Sequence, residues 1–185
     1  MSRNRVFEIM EWGAVGANLL YTFLYIQGSY TCFIWGIIGP LLLLGLCIDR
    51  KIYADAVLQL VYVALAIYGW LNWGTAGWSS KTYSALDHAL LILLALVGGG
   101  LLGFFLKKYS DAQLPFIDSL ITTGFLVATW LMMNFVHENW LYFMVLNAAS
   151  IALYANRRLY KASLMFVLYL FMSIDAYWQL GIFMV

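Results

Sequence analysis

Stretches of about 20 residues nearly free of charge recur along this chain, and no other feature restricts its fold so tightly. The hydrocarbon of a bilayer is about 30 Å thick and a helix rises about 1.5 Å per residue, so about 20 apolar residues make one crossing. Seven segments qualify, at 7–27, 31–48, 52–73, 86–106, 113–134, 139–155 and 161–183. Hydrophobic residues make up 64% of the 185 and charged ones 10%; a soluble domain carries about a quarter charged residues and has no way to bury this much apolar surface. The connections are only a few polar residues long, which makes neighbouring helices antiparallel and leaves no room for a soluble domain. The expected fold is all-α, one polytopic membrane domain over 1–185 with seven transmembrane helices. Met1 to Arg5 is basic, but the segment that follows holds Glu8 and Glu11 and lacks a small-residue cleavage site, so it reads as a retained first helix rather than a signal peptide.

The basic residues assign an orientation. Arg3 and Arg5 precede the first span, Arg50 and Lys51 join the second to the third, Lys107 and Lys108 join the fourth to the fifth, and Arg157, Arg158 and Lys161 join the sixth to the seventh. Only Lys81 falls on the other side. The positive-inside rule then places the N-terminus in the cytoplasm and Val185 outside. Lipid is the expected surrounding and no nucleic-acid partner is expected. Lipid-facing and partner-facing apolar surfaces read alike in sequence, so a homo-oligomer stays open.

Sliding the chain against itself gives one clear register, an offset of 107. Asp49-Arg50-Lys51-Ile52-Tyr53 meets Asn156-Arg157-Arg158-Leu159-Tyr160, Glu11 meets Asp118, Gln27 meets Asn134, Tyr62 meets Tyr169 and Ile67 meets Ile174. Three consecutive spans (7–73) thus match three consecutive spans (113–183) without a gap, with 86–106 as a linking helix. Because one helix intervenes, both triplets enter from the same side, which is a parallel 3+1+3 repeat. Gly98, Gly99, Gly100 and Gly103 in the linking helix are expected to let its neighbours approach closely.

Parallel repeats commonly place a solute site near the bilayer midplane. Counting to the centre of each span gives Asn18, Pro40, Gln59 to Tyr62, Asn147 and Tyr169. Pro40 and Asn147 are equivalent under the offset, and each interrupts an apolar stretch. Proline frees a carbonyl, while asparagine brings two donors and an acceptor to a depth where unsatisfied groups are costly. A lone amide in a membrane helix is also a common helix-to-helix hydrogen bond worth about 0.6 kcal/mol. Asp175 stands out because a carboxylate within an apolar span costs at least about 2.5 kcal/mol unless paired or hydrated. Glu11, Asp55 and Asp118 lie close to the basic loops and read as ion pairs. Trp70, Trp73, Trp78, Trp140 and Trp178 gather near the outer span ends, either as an interfacial belt or as a stacking cage for a flat, cationic ligand. His137 with Glu138, and Asp87 with His88, lack a further ligand at metal spacing, so neither a metal site nor a cofactor is expected. The two histidines also leave no nucleophile and base together, and an enzyme is not expected.

The third span, with Leu58-Gln59, Tyr62, Tyr68-Gly69-Trp70 and Trp73 preceded by Tyr53-Ala54-Asp55-Ala56, closely resembles the PnuC family of bacterial vitamin transporters. Glu138-Asn139-Trp140 at the start of the sixth span is similar to that family's pattern there. The resemblance covers essentially the whole chain, including a plan like that of the SWEET sugar transporters in full-length form. It implies facilitated diffusion of an unphosphorylated vitamin, typically nicotinamide riboside, which a cytosolic kinase then traps without any required contact. It also implies Gln59, Tyr62, Asn139, Trp140 and Asn147 as binding groups, with Tyr68 and Trp70 beside them. Phe143 stands where the nicotinamide riboside members carry a second tryptophan, which keeps the related thiamine-specific transporters as an alternative. In the mechanism this implies, the two triplets rock around one occluded site. Trp140, Tyr177 or Trp178 stack on the aromatic cation, Gln59, Asn147 and Asn18 hydrogen-bond its hydroxyl-bearing part, and Asp175 attracts positive charge. A non-transporting membrane receptor or subunit is the alternative of another class.

Overall fold

The computed structural model describes residues 3–49, 53–76, 82–110, 114–156 and 160–183. Seven helices occupy them: α1 (Arg3–Ile26), α2 (Cys32–Asp49), α3 (Tyr53–Ala76), α4 (Ala85–Tyr109), α5 (Pro115–Met133), α6 (Asn139–Asn156) and α7 (Tyr160–Trp178). No strand occurs among the described residues. The loop residues Arg50, Lys51, Lys81, Arg157 and Arg158, and the interfacial assignment of Trp78, lie outside them, as do the side chains of Asp55 and Lys161.

Among the described residues, length and composition alone qualify four stretches to cross a bilayer: Cys32–Asp49, Ala56–Trp73, Ala85–Tyr109 and Pro115–Met133. The apolar run Ser163–Trp178 is shorter. Helix α7 ends five residues before the expected 183, because Gln179 takes a left-handed φ of 52° and the Leu180 N–H turns back to the Asp175 carbonyl (3.3 Å). Helix α4 begins at a capping box that apolar patterning does not reveal. The Ser84 hydroxyl accepts from the Asp87 N–H and the Asp87 carboxylate accepts from the Ser84 N–H.

Two units make up the chain, α1 to α3 with the residues after Leu180, and α4 to α7. In the first, α2 packs on both α1 and α3. Gly36 allows this from the middle of α2: a Cβ there would stand 2.8 Å from the ring of Tyr21 on α1 and 3.5 Å from Ala66 on α3. Pro40 lies buried inside the same helix, and its ring removes one donor from the helical ladder.

In the second unit α4 packs on α5, α5 on α6 and α6 on α7. Two of the four glycines in the expected close-packing run make a backbone contact. A Cβ on Gly99 would meet the Leu120 Cα at 2.9 Å and one on Gly103 the Phe116 Cα at 2.9 Å, whereas Gly98 faces only the Thr123 methyl at 3.7 Å and Gly100 faces nothing within 4 Å. The helical period explains the split, since residues four apart share a face and their neighbours do not. The Thr123 hydroxyl seals the α4–α5 contact by donating to the Ala95 carbonyl (2.8 Å).

The turns α1–α2 and α5–α6 follow one backbone path. Gly28 (φ 71°) and Phe135 (φ 57°), 107 positions apart, both take the left-handed conformation. Ser29 N–H reaches the Leu24 carbonyl (3.0 Å) as Val136 N–H reaches Leu131 (3.0 Å), and Cys32 N–H reaches Ser29 (3.0 Å) as Asn139 N–H reaches Val136 (3.1 Å). These are Schellman caps, in which the residue past the helix end must adopt positive φ. The first turn meets that demand with glycine and the second with a buried phenylalanine.

Candidate functional site

Helix α6 carries a polar and aromatic stripe. Trp140, Phe143, Asn147 and Ser150 recur at spacings of three and four, and Asn139 lies four before Phe143, so they share one face. Asn139, Trp140, Asn147 and Ser150 on it are buried. The Asn139 amide group donates to the Val136 carbonyl (2.6 Å), which holds the α5–α6 turn and leaves the side-chain oxygen buried without a partner. The Trp140 and Phe143 rings lie 5.9 Å apart.

Helix α7 meets this stripe at its middle. The Asn147 amide donates to the Ser173 hydroxyl (3.4 Å), which itself donates to the Tyr169 carbonyl one turn earlier (2.7 Å). Asparagine, serine and the Tyr169 backbone thus form one chain, with half-buried Tyr169 beside it. Asp175 is completely buried, at 0% exposure. Tyr177 and Trp178 meet edge to face with ring centroids 5.0 Å apart, but Trp178, the last residue of α7, is 57% exposed. Of the residues expected to stack, Tyr177 already has a ring against it, His137 at 5.1 Å and 23°.

In the first unit, the Asn18 side chain on α1 lies against Gly39, one residue before Pro40, where any Cβ would collide with it. Gln59 and Tyr62 sit on the face of α3 that also carries buried Ala66 and Gly69. Trp70 is 41% exposed at the edge of that face. Tyr68 points to the opposite face of α3 by the helical period, beside Asn72, whose amide donates to the Tyr68 carbonyl (2.7 Å). The unit also holds a cluster that sequence reading did not assemble. Phe33 and Trp73 meet at 5.4 Å, Tyr25 and Trp73 at 5.8 Å and Tyr21 and Phe33 at 6.5 Å. One signal was present, since Phe33 is the 107-offset equivalent of Trp140.

Apolar helices of membrane-crossing length, with buried amides and aromatic rings along their faces, make this a multi-pass helical membrane protein. Residues 8–180 match the family described as nicotinamide mononucleotide transporter, and the chain belongs to that family, the PnuC transporters. It is similar to the "Nicotinamide riboside transporter PnuC" of Escherichia coli (strain K12) and to that of Shigella flexneri, at 23% identity over 173 residues covering 77% of this chain and 72% of each relative. Among solved structures it is similar to the "Crystal structure of the Vitamin B3 transporter PnuC", with a TM-score of 0.70, 23% identity and coverage of 91% of this chain and 78% of that one. At that identity the likeness is one of fold.

Proposed function

We infer that this chain is a vitamin transporter that moves nicotinamide riboside across a bacterial inner membrane by facilitated diffusion. The observation that carries the reading is the α6 stripe meeting α7, where Asn139, Trp140 and Asn147 are buried and Asn147 bonds Ser173, in helices that are mostly apolar. A flat cationic ring finds a stacking surface in Trp140, with Tyr177 or Trp178 as the second aromatic. Its ribose hydroxyls find hydrogen-bonding groups in Asn147, Asn18 and Gln59, with the unpaired Asn139 oxygen as one more acceptor. Tyr62, Tyr68, Trp70, Phe143 and Tyr169 complete the assigned set, and buried Asp175 attracts the positive charge.

The charge pattern favours the riboside over the mononucleotide of the family description. Among the described residues every lysine and arginine lies near a helix end, so none stands at mid-helix to compensate a phosphate in hydrocarbon. A neutral sugar needs none. Phosphorylation by a cytosolic kinase after entry then traps the solute, and alternating access needs neither nucleotide hydrolysis nor a coupling ion. The matching turns and the coincident ends of α1 and α5, of α2 and α6, and the starts of α3 and α7, at an offset of 107, support the parallel repeat of three helices. The loop charges support a cytoplasmic N-terminus.

Phe143 keeps thiamine, also flat and cationic, as the second substrate reading. Uptake of labelled nicotinamide riboside, thiamine and nicotinamide mononucleotide into proteoliposomes, with calorimetric affinities, separates these outcomes. Saturable riboside flux supports the proposal; thiamine flux alone transfers it to thiamine. Binding without flux of either favours a receptor, and neither binding nor flux refutes it.

A further inference from the structure

Histidine 137 lies in the α5–α6 turn and belongs to none of the groups assigned above. Its Nε2–H donates to the Tyr177 carbonyl (3.1 Å), and its ring stacks on Tyr177 at 5.1 Å and 23°. The contact spans 40 residues of sequence and joins the turn to the end of α7.

The length of α7 explains why that carbonyl needs a donor. Under the 107 offset, α7 ends at the position of Leu71, whereas its counterpart α3 runs on to Ala76. The carbonyl of Trp70, equivalent to Tyr177, therefore lies within a continuing helix. The last four carbonyls of α7 have no partner inside the helix. The cap at Gln179 satisfies Asp175 through the Leu180 N–H, and His137 satisfies Tyr177. The residue equivalent to His137 in the first turn is Tyr30, which is 57% exposed. The cap is thus particular to the second triplet.

We propose that His137 is a positioning residue for substrate binding, fixing the outer end of α7, with Asp175, Tyr177 and Trp178, to the turn that leads into Asn139 and Trp140. It holds in register the two elements that supply most of the second unit's assigned groups. The role rests on the transporter reading above.

The full-length chain carrying His137→Ala, His137→Gln or His137→Phe tests it. Glutamine keeps an N–H donor near Nε2 without the ring, and phenylalanine keeps the ring without the donor. His137→Ala is expected to raise KM for uptake and the calorimetric Kd about fivefold, the effect of one lost hydrogen bond, with the maximal rate within twofold. Amide exchange at 175–180 should accelerate in His137→Ala and His137→Phe, and His137→Gln should restore both exchange and affinity toward the starting chain. Unchanged affinity in His137→Ala, or exchange at 175–180 that ignores the donor, overturns the positioning role. So does a loss that His137→Gln fails to recover and that accompanies a lower melting temperature. Absence of vitamin binding by the unsubstituted chain overturns the transporter reading itself, and the positioning role with it.

Discussion

Replacing Gly103 and Gly100 by alanine, one at a time, tests the α4–α5 contact with its own control. Both glycines lie inside α4, so both substitutions gain the same helix propensity, about 1 kcal/mol. They differ in what the new methyl meets. At Gly100 there is nothing within 4 Å, while at Gly103 the Cβ would stand 2.9 Å from the Phe116 Cα and 2.7 Å from a carbon of its ring. The ring can rotate; the Cα moves only if α5 moves. Reaching ordinary contact at about 3.4 Å requires about 0.5 Å of helix separation, and overpacking of this kind costs about 1–3 kcal/mol. Subtracting one variant from the other cancels the propensity gain and leaves the clash. At about 2–4 °C per kcal/mol for a chain of this size, Gly103→Ala should melt about 2–12 °C below Gly100→Ala in detergent, followed by circular dichroism. Equal melting temperatures would mean that the α4 and α5 backbones are not in contact.

Three further outcomes follow from named contacts. Gly28→Ala should destabilise the chain by about 1–2 kcal/mol in the same melt, because its φ of 71° is unfavourable for a residue with a Cβ. Thr123→Val removes the donor to the Ala95 carbonyl and should lower stability by about 0.6 kcal/mol without altering vitamin affinity, read by calorimetry. Asn147→Leu loses a 3.4 Å bond to Ser173 worth a similar amount to the fold, yet should weaken vitamin binding at least about tenfold, since one good polar contact to a ligand is worth about 1.4 kcal/mol; affinity unchanged in that variant removes Asn147 from the site.

Much of the helical framework can be read from hydropathy, because backbone satisfaction in lipid leaves a long apolar segment little choice but helix. The α6 stripe was also within reach, since Asn139, Trp140, Phe143 and Asn147 follow a helical period that needs only the right axis. Helix ends were harder. Apolar content does not mark the left-handed Gln179 that stops α7 early, nor the Ser84 capping box, because both depend on local backbone geometry. Contacts between distant residues were out of reach altogether. His137 with Tyr177 and His88 with Tyr142 (2.9 Å) pair positions 40 and 54 apart, and nothing in the local pattern of either partner names the other. The glycine run was half legible: hydropathy shows four small residues, and only the rotation of α4 about its axis decides that Gly99 and Gly103 are the pair that touches α5.

That fit has a practical corollary for α4. Held backbone to backbone on α5, α4 is no neutral tether. Cutting the polypeptide between α3 and α4 would give two fragments that each retain their internal packing, whereas cutting between α4 and α5 would deprive Gly99 and Gly103 of the surface they match. The seam for a split reporter, or for exchanging halves with a relative, therefore falls ahead of α4 and yields pieces of three and four helices.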